Sequence, residues 1–228
     1  MNHYQDYKVF SIEGNIGAGK STLIEYLKEK LVNDENIIFV SEPLDMWQTI
    51  QDNNGVNMLT KFYENQDKYA FSFQVMAFAT RLLKMKGEMK KKPNARIIIC
   101  ERSLEADYNI FAKMLHDDGK IETINYKVYL QFYDLYKDEF PTKGLIYINA
   151  GPETCQQRIN KRNRSGEEGI PMEYLQKCHK YHEEWIDKYE HKENMLIIDT
   201  DHNMNDICSE SNITYMEKWI KQIYNFVL

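Results

Sequence analysis

The chain of 228 residues is short of several things, and each shortage closes off a class of protein. Its four cysteines, Cys100, Cys155, Cys178 and Cys208, form no C-x-x-C pair and lack the cysteine and histidine spacing of a structural zinc site. They read as reduced thiols of an intracellular protein. No apolar run approaches the ~20 residues that span a bilayer, so no membrane partner is expected. Positive charge is not in excess: 29 Lys and Arg stand against 35 Asp and Glu, a net charge of −6. A surface that coats nucleic acid needs a basic footprint, so nucleic acid is not an expected partner, and local basic clusters read as sites for small phosphates. The opening residues, Met1 to Asp6, have neither the apolar core of a secretion signal nor the arginine-rich, acid-poor character of a transit peptide, which points to a cytoplasmic location. The two N-x-[ST] sequons, at Asn163 and Asn212, are then coincidences.

What is present suits a soluble globule. The 43% apolar and 28% charged residues give no sign of disorder, and the length can bury a core without staples. Short β-rich runs, Lys8–Ile12, Ile37–Val40, Arg96–Cys100, Gly144–Asn149 and Met195–Asp199, alternate with helix-sized stretches. That alternation predicts an α/β protein, a five-stranded parallel sheet flanked by helices. Leu59 to Lys92 has no proline and little glycine and should contain one long helix. Thr123–Asp138, Pro171–His191 and Thr214–Leu228 are further helices, and Pro152 is placed to open one over Glu153–Arg162. No repeat, low-complexity tract or linker divides the chain, so residues 1–228 are expected to form a single domain.

The first strand runs into Gly14-Asn15-Ile16-Gly17-Ala18-Gly19-Lys20-Ser21-Thr22, a complete G-x-x-x-x-G-K-[ST] phosphate loop between a strand and a helix. Backbone amides encircle phosphate oxygens only where no Cβ intervenes, Lys20 adds a point charge for the β and γ phosphates, and Ser21 offers a hydroxyl to Mg²⁺. A nucleoside triphosphate is the expected ligand. In open parallel sheets ligands gather beyond the carboxyl ends of the strands, so the residues that follow the other strands are the next suspects. After the second comes Glu42, which could take a proton from an acceptor hydroxyl or could simply be a solvated strand-end carboxylate. Its neighbours Pro43, which fixes the backbone, and Trp47, a flat apolar wall, favour the first reading. After the third come Glu101, able to hold Mg²⁺ directly or through water, and Arg102, able to neutralise a transferring phosphoryl group; a surface Arg-Glu pair is the alternative.

Arg158, Arg162 and Arg164 lie in a basic stretch that ends in a glycine-bearing loop, about 158–169, either a lid that closes over phosphates or a solvated helix end. Tyr63, Phe73, Gln74, Ala77 and Arg81 fall on the long helical region, with Gln74, Ala77 and Arg81 on one face. An aromatic ring with an amide and a guanidinium makes a base pocket, while core packing accounts for Phe71, Phe73 and Phe78 but not for Gln74 and Arg81. His179 and His182 stand three apart beside Glu183 and Glu184, but with no third ligand they read as surface histidines of an amphipathic helix rather than a metal site.

Five motifs, I-E-G-N-I-G-A-G-K-S-T at Ile12–Thr22, E-P-L-D-x-W at Glu42–Trp47, F-S-F-Q at Phe71–Gln74, E-R-S at Glu101–Ser103 and E-E-G-I-P-x-E-Y-L at Glu167–Leu175, occur in the order of the deoxynucleoside kinases, and the chain resembles that family over nearly its whole length. The resemblance implies a P-loop kinase fold with a short arginine-rich lid. It implies transfer of the γ-phosphate of ATP to the 5′-hydroxyl of a deoxynucleoside, a nucleotide salvage step, with Mg²⁺ near Ser21 and Glu101. It makes Glu42 the base, Arg102 its orienting cation, Tyr63 and Glu167 the holders of the sugar 3′-hydroxyl, Gln74 the partner of the nucleobase and Arg158, Arg162 and Arg164 the lid arginines. Ala77, Arg81 and Asp107 resemble the arrangement of the deoxycytidine and purine deoxynucleoside kinases, so deoxyadenosine, deoxyguanosine or deoxycytidine is expected ahead of thymidine. Asp199 to Asn205 resembles the loop that contacts the adenine of the donor, with a weaker match. A homodimer is implied by resemblance alone.

Two rival readings remain. A nucleoside monophosphate kinase shares the phosphate loop and lid, but its acceptor is already anionic and a carboxylate such as Glu42 would repel it. A non-catalytic nucleotide-binding subunit could keep the fold, although the lysine, the acidic residue and the lid arginines are all retained here.

Overall fold

The computed structural model describes residues 7–164, 166–167, 169–189, 191–200 and 210–228, with the backbone alone for 210–214. In chain order the elements are β1 (Lys8–Glu13), α1 (Lys20–Lys30), β2 (Ile37–Val40), α2 (Leu44–Thr49), α3 (Met58–Glu64), α4 (Gln66–Lys91) and β3 (Ile97–Glu101). Then come α5 (Leu104–Ala106), a π-helical turn over Asp107–Ala112, α6 (Lys113–Asp117), α7 (Thr123–Tyr136), β4 (Thr142–Asn149), α8 (Pro152–Arg162), α9 (Met172–Lys188), β5 (Met195–Asp199) and α10 (Glu210–Val227). The five strands are parallel, in the order β2-β3-β1-β4-β5, so β1 is central and its carboxyl end lies between those of β3 and β4.

Side chains alternate across each strand, and the alternation sorts the core into two layers. Phe10 and Ile12 of β1 with Ile97 and Ile99 of β3 pack on the face that carries Leu23, Ile24 and Leu27 of α1 and Ile223 of α10. Val9, Ile98 and Cys100 face the other way, onto Phe78, Leu82 and Met85 of α4 and Tyr129 of α7. A third cluster, with Phe62, Phe73, Phe111 and Tyr174, closes the space beyond the strand ends.

The five expected strands are the five observed, with shifted ends: β1 runs on to Glu13, which pairs with Tyr147 of β4, β3 runs from Ile97 to Glu101, which pairs with Ile12, and β4 starts two residues earlier, at Thr142. The expected long helix is divided. Asn65 adopts φ −152°, and its side chain accepts a hydrogen bond from the Lys68 amide, so α4 starts at Gln66 and α3 lies before it. The short α2, the α5–α6 segment and its π-helical turn were outside the sequence reading.

Candidate active site

The phosphate loop follows β1 as its sequence requires. Gly14 has φ +141°, and a Cβ there would stand 2.5 Å from the Ile148 carbonyl oxygen; at Gly17, with φ +82°, it would meet the Cys155 carbonyl at the same distance. Only glycine fits at either position. Ile16, Gly17, Ala18, Gly19, Lys20, Ser21 and Thr22 line one end of a cavity of about 700 Å³, while Gly14 and Asn15 lie beneath the loop. The Asn15 amide donates to the Leu175 carbonyl at 2.9 Å, which ties the loop to α9. The first turn of α1 contains no acidic residue of its own. Lys20 is buried and donates to the Gly14 and Asn15 carbonyls at 3.1 and 2.8 Å; burial and the nearby Arg102 charge lower its pKa to about 8.

Strand periodicity decides which carboxylate goes where. Glu101 shares its face with Ile97 and Ile99, toward α1, and accepts from the Ser21 hydroxyl at 2.8 Å and the Glu42 amide at 3.4 Å. Glu42, just past β2, sends Oε1 to within 3.5 Å of Arg81 Nη2 and 3.6 Å of Arg102 Nε. Burial pushes the Glu42 carboxyl up, but the charges of Arg102, Arg81 and Lys20 outweigh it and hold the group below the usual carboxylate value. Lys84 donates to the Glu42 carbonyl at 3.1 Å and pairs with Asp45, which fixes the turn behind this carboxylate.

Arg81 is held more tightly than a reader of base edges alone would need to be. It pairs with Asp107 through Nε at 3.0 Å and Nη2 at 3.3 Å, and donates from Nη1 to the Glu101 carbonyl at 2.8 Å. All of this is buried. One arginine thus links the expected specificity pair to the expected base. Arg102, also buried, has φ +64°, lies with its guanidinium carbon 4.5 Å from the Phe111 ring centroid, and has an Nη1 without a partner among the described residues.

Trp47, Phe73, Gln74, Ala77 and Phe111 line the cavity beyond Glu42. Trp47 donates from its indole to Thr80 at 2.8 Å and meets Phe73 edge-on, and Phe73 stacks on Phe62 at 4.4 Å. Gln74 is 2% exposed and its side-chain oxygen has no partner among the described residues, a buried acceptor on the cavity wall that a ligand donor would satisfy. Tyr63 does not line the wall. It packs edge-on against Phe62 and Tyr174, and burial with the neighbouring Glu167 charge raises its phenol pKa.

At the lid, Arg162 donates from Nε to Glu167 Oε2 at 2.9 Å and also through Nη2, while Arg164 donates to Oε1 at 3.2 Å. Arg158 stands apart from these two: it donates to the Ala18 carbonyl at 3.0 Å and the Thr200 carbonyl at 2.7 Å, bridging the phosphate loop and the end of β5. Of the Asp199–Asn205 stretch, 201–205 lies outside the described residues, as do Ser165 and Glu168 of the lid and Cys208. His182 corrects the surface reading of the histidine pair. It is fully buried, its Nδ1 donates to the Cys178 carbonyl at 2.6 Å, and burial beside positive charge holds its pKa well below the usual value, so the ring is neutral. Among the described residues no cluster of three or more His, Cys, Asp or Glu could hold a metal.

The cavity also takes in residues that the sequence did not single out, Phe111 from the π-helical turn and Gln157, Met216 and Trp219 at the donor end, together with Thr200 of the stretch expected to contact the adenine. Phe111 and Trp219 sit on helical stretches with no motif around them, so only their position marks them.

A phosphate loop at the end of the central strand, a carboxylate facing it and an arginine-bearing helix end above it define a phosphotransferase of the P-loop kinase fold. Residues 10–226 match the family model described as deoxynucleoside kinase. The chain is 37% identical to human deoxycytidine kinase over 201 residues, 78% of this chain and 75% of that protein. A fowlpox virus protein named for that activity is 35% identical over 229 residues, 98% and 89% of the two chains, and human mitochondrial thymidine kinase 2 is 29% identical over 202 residues, 86% and 72%. The chain belongs to the deoxynucleoside kinase family and is an ATP-dependent nucleoside kinase.

Proposed function

We propose that the protein transfers the γ-phosphate of ATP to the 5′-hydroxyl of deoxycytidine, deoxyadenosine or deoxyguanosine in preference to thymidine. The observation that carries this reading is the interlocked set Glu42, Arg81 and Asp107, with Gln74 lining the same cavity, opposite the phosphate loop. Glu42, ionised at neutral pH, accepts the proton of the attacking hydroxyl, and Arg102 holds that carboxylate and offsets charge on the moving phosphoryl group. A neutral hydroxyl suits this carboxylate; a monophosphate acceptor would be repelled. Gln74 supplies its free oxygen to an exocyclic amino group, which cytosine and adenine present on their pairing edge and thymine lacks. Arg81, fixed by Asp107, keeps donors directed at the base edge and occupies the room of a thymine methyl.

Glu101 and the Ser21 hydroxyl, hard oxygen donors in contact with each other, suit Mg²⁺, which is commonly held by one or two carboxylates together with substrate phosphates. When bound, the ion neutralises charge on the β and γ phosphates. Lys20, Arg162 and Arg164 bind the donor phosphates, and Glu167, which lines the cavity, holds the sugar 3′-hydroxyl. The described chain works as one domain, with a single sheet carrying both substrates. A homodimer is supported by Ile124, Val128, Phe132 and Leu135, an exposed apolar stripe on α7, and should appear in sedimentation at micromolar concentration. Cys100 and Cys178, buried thiols raised to about 12 by burial, suit a reducing cytoplasm.

The test is a panel of the four deoxynucleosides and their monophosphates with labelled ATP. Phosphate uptake by deoxynucleosides other than thymidine is expected; labelling of monophosphates alone, or thymidine as the best acceptor, would overturn the reading.

A further inference from the structure

We propose that Glu13, which does not line the cavity, is a positioning residue that holds Arg102 in its left-handed conformation and so fixes the guanidinium beside Glu42. The inference rests on Arg102 acting in the reaction proposed above. A side chain at φ +64° is uncommon, and it persists only where the surroundings over-determine it. Here the end of β1 supplies that constraint from both sides. The Arg102 amide donates to the Ile12 carbonyl at 3.0 Å, and the next amide, that of Ser103, donates to Glu13 Oε1 at 2.8 Å. The Ser103 hydroxyl donates to the same oxygen, also at 2.8 Å.

Ser103 then passes the constraint onward. Its hydroxyl oxygen accepts from the Ala106 amide at 3.0 Å and caps the start of α5. That helix runs directly into the π-helical turn, which carries Asp107, the partner of Arg81, and Phe111, the ring under the Arg102 guanidinium. One carboxylate oxygen therefore sets the start of the segment that presents Arg102, Asp107 and Phe111. The other oxygen of Glu13 is buried without a hydrogen-bond partner among the described residues, and the residue is wholly inaccessible. Burial pushes its pKa up to about 7 against the nearby Arg102 charge. An apolar side chain would suit the Val9 and Cys100 face of the sheet better if packing were the only requirement. What it could not do is accept two hydrogen bonds from Ser103.

The test compares Glu13→Gln, which keeps an acceptor oxygen of the same reach, with Glu13→Leu, which does not. Glu13→Leu should lower kcat about 100-fold with the KM for ATP changed less than about threefold, the scale of a misplaced reacting group, while Glu13→Gln stays within about threefold of wild type. On an Arg102→Ala background Glu13→Leu should cost less than about twofold more, because the two act as a unit. A crystal structure of Glu13→Leu should show Arg102 outside the positive-φ region, and one of Glu13→Gln should show it inside. A folded Glu13→Leu protein with wild-type kcat, an equal loss on both backgrounds, or an unmoved Arg102 would overturn the proposal. If Glu13→Leu does not fold, Ser103→Ala decides: about a tenfold loss of kcat that vanishes on the Arg102→Ala background supports the role, and no loss refutes it. Wild-type protein inactive on every deoxynucleoside would refute the function instead, and the Arg102 backbone angle would still report on Glu13.

Discussion

The two halves of the cavity are built differently. At the acceptor end the contacts lie within the protein: Arg81 pairs with buried Asp107, Glu42 stands 3.5 Å from Arg81, and Trp47 donates to Thr80 of α4. At the donor end the charged groups are engaged with groups that phosphate must displace: Lys20 on the carbonyls of its own loop, Arg162 and Arg164 on Glu167. On the function proposed above, the acceptor half is preorganised for a small neutral sugar. On the same reading, the donor half would exchange internal partners for a polyanion, releasing the cations where the negative charge arrives. Glu167 joins the halves, since the carboxylate assigned to the sugar is also what occupies the lid arginines.

The sharpest way to break this contrast is to remove one charge from each half. Glu42→Ala should lower kcat by about 10³-fold with little change in the KM for ATP, as expected for loss of a general base. Lys20→Ala should cost a similar factor in kcat/KM for ATP; near wild-type rates for either variant in steady-state assays would remove that residue from the chemistry.

The rigidity of the acceptor half predicts that its ion pair is lost only as a pair. Asp107→Ala should destabilise the fold by about 3–5 kcal/mol in urea unfolding, because it strands the Arg81 charge. Replacing both residues by small apolar ones should be better tolerated and should raise the thymidine to deoxycytidine ratio of kcat/KM by at least about tenfold. An unchanged ratio would remove the pair from base selection.

The pH profile separates the halves again. Glu42 is held below the ordinary carboxylate value, so it remains ionised from pH 7 down to pH 5 and should give no acid limb in that range. Lys20 is lowered to about 8, so the free enzyme loses this charge as the pH rises through that value, and kcat/KM for ATP should fall above it. A profile flat to pH 9.5 would place the lysine elsewhere in the titration order.

The smallest effect is expected at the junction. Glu167→Gln should release Arg162 and Arg164 and lower the KM for ATP about threefold while raising that for the deoxynucleoside, a split that initial-rate kinetics resolves. Parallel changes in both constants would show that the lid pairing has no bearing on the donor.

The five strands were legible because β-branched runs bounded by polar residues are a local signal, and the phosphate loop because its glycines are required by local backbone geometry. Gln74, Ala77 and Arg81 could be placed on one face by counting along α4. His182 was misjudged because a helix shows which residues share a face but not how deeply that face is covered, and α9 is buried further round than its charged neighbours suggest. The break at Asn65 was hidden because a single capping residue inside a long helical pattern looks like any other polar position. Glu13 was overlooked because it stands within a motif whose glycines and lysine account for the pattern without it.

The sequence by itself determined the class of fold, the phosphate loop and the order of the acidic and basic residues along the chain, since these follow from periodicity and from backbone freedom over a few residues. Only the tertiary structure decided that Arg81 reaches Glu42 as well as Asp107, that Arg158 braces the phosphate loop, and that Glu13 accepts from Ser103 beside Arg102. Those contacts join residues 26 to 140 positions apart, brought together by the crossing of parallel strands, and no local pattern carries that distance.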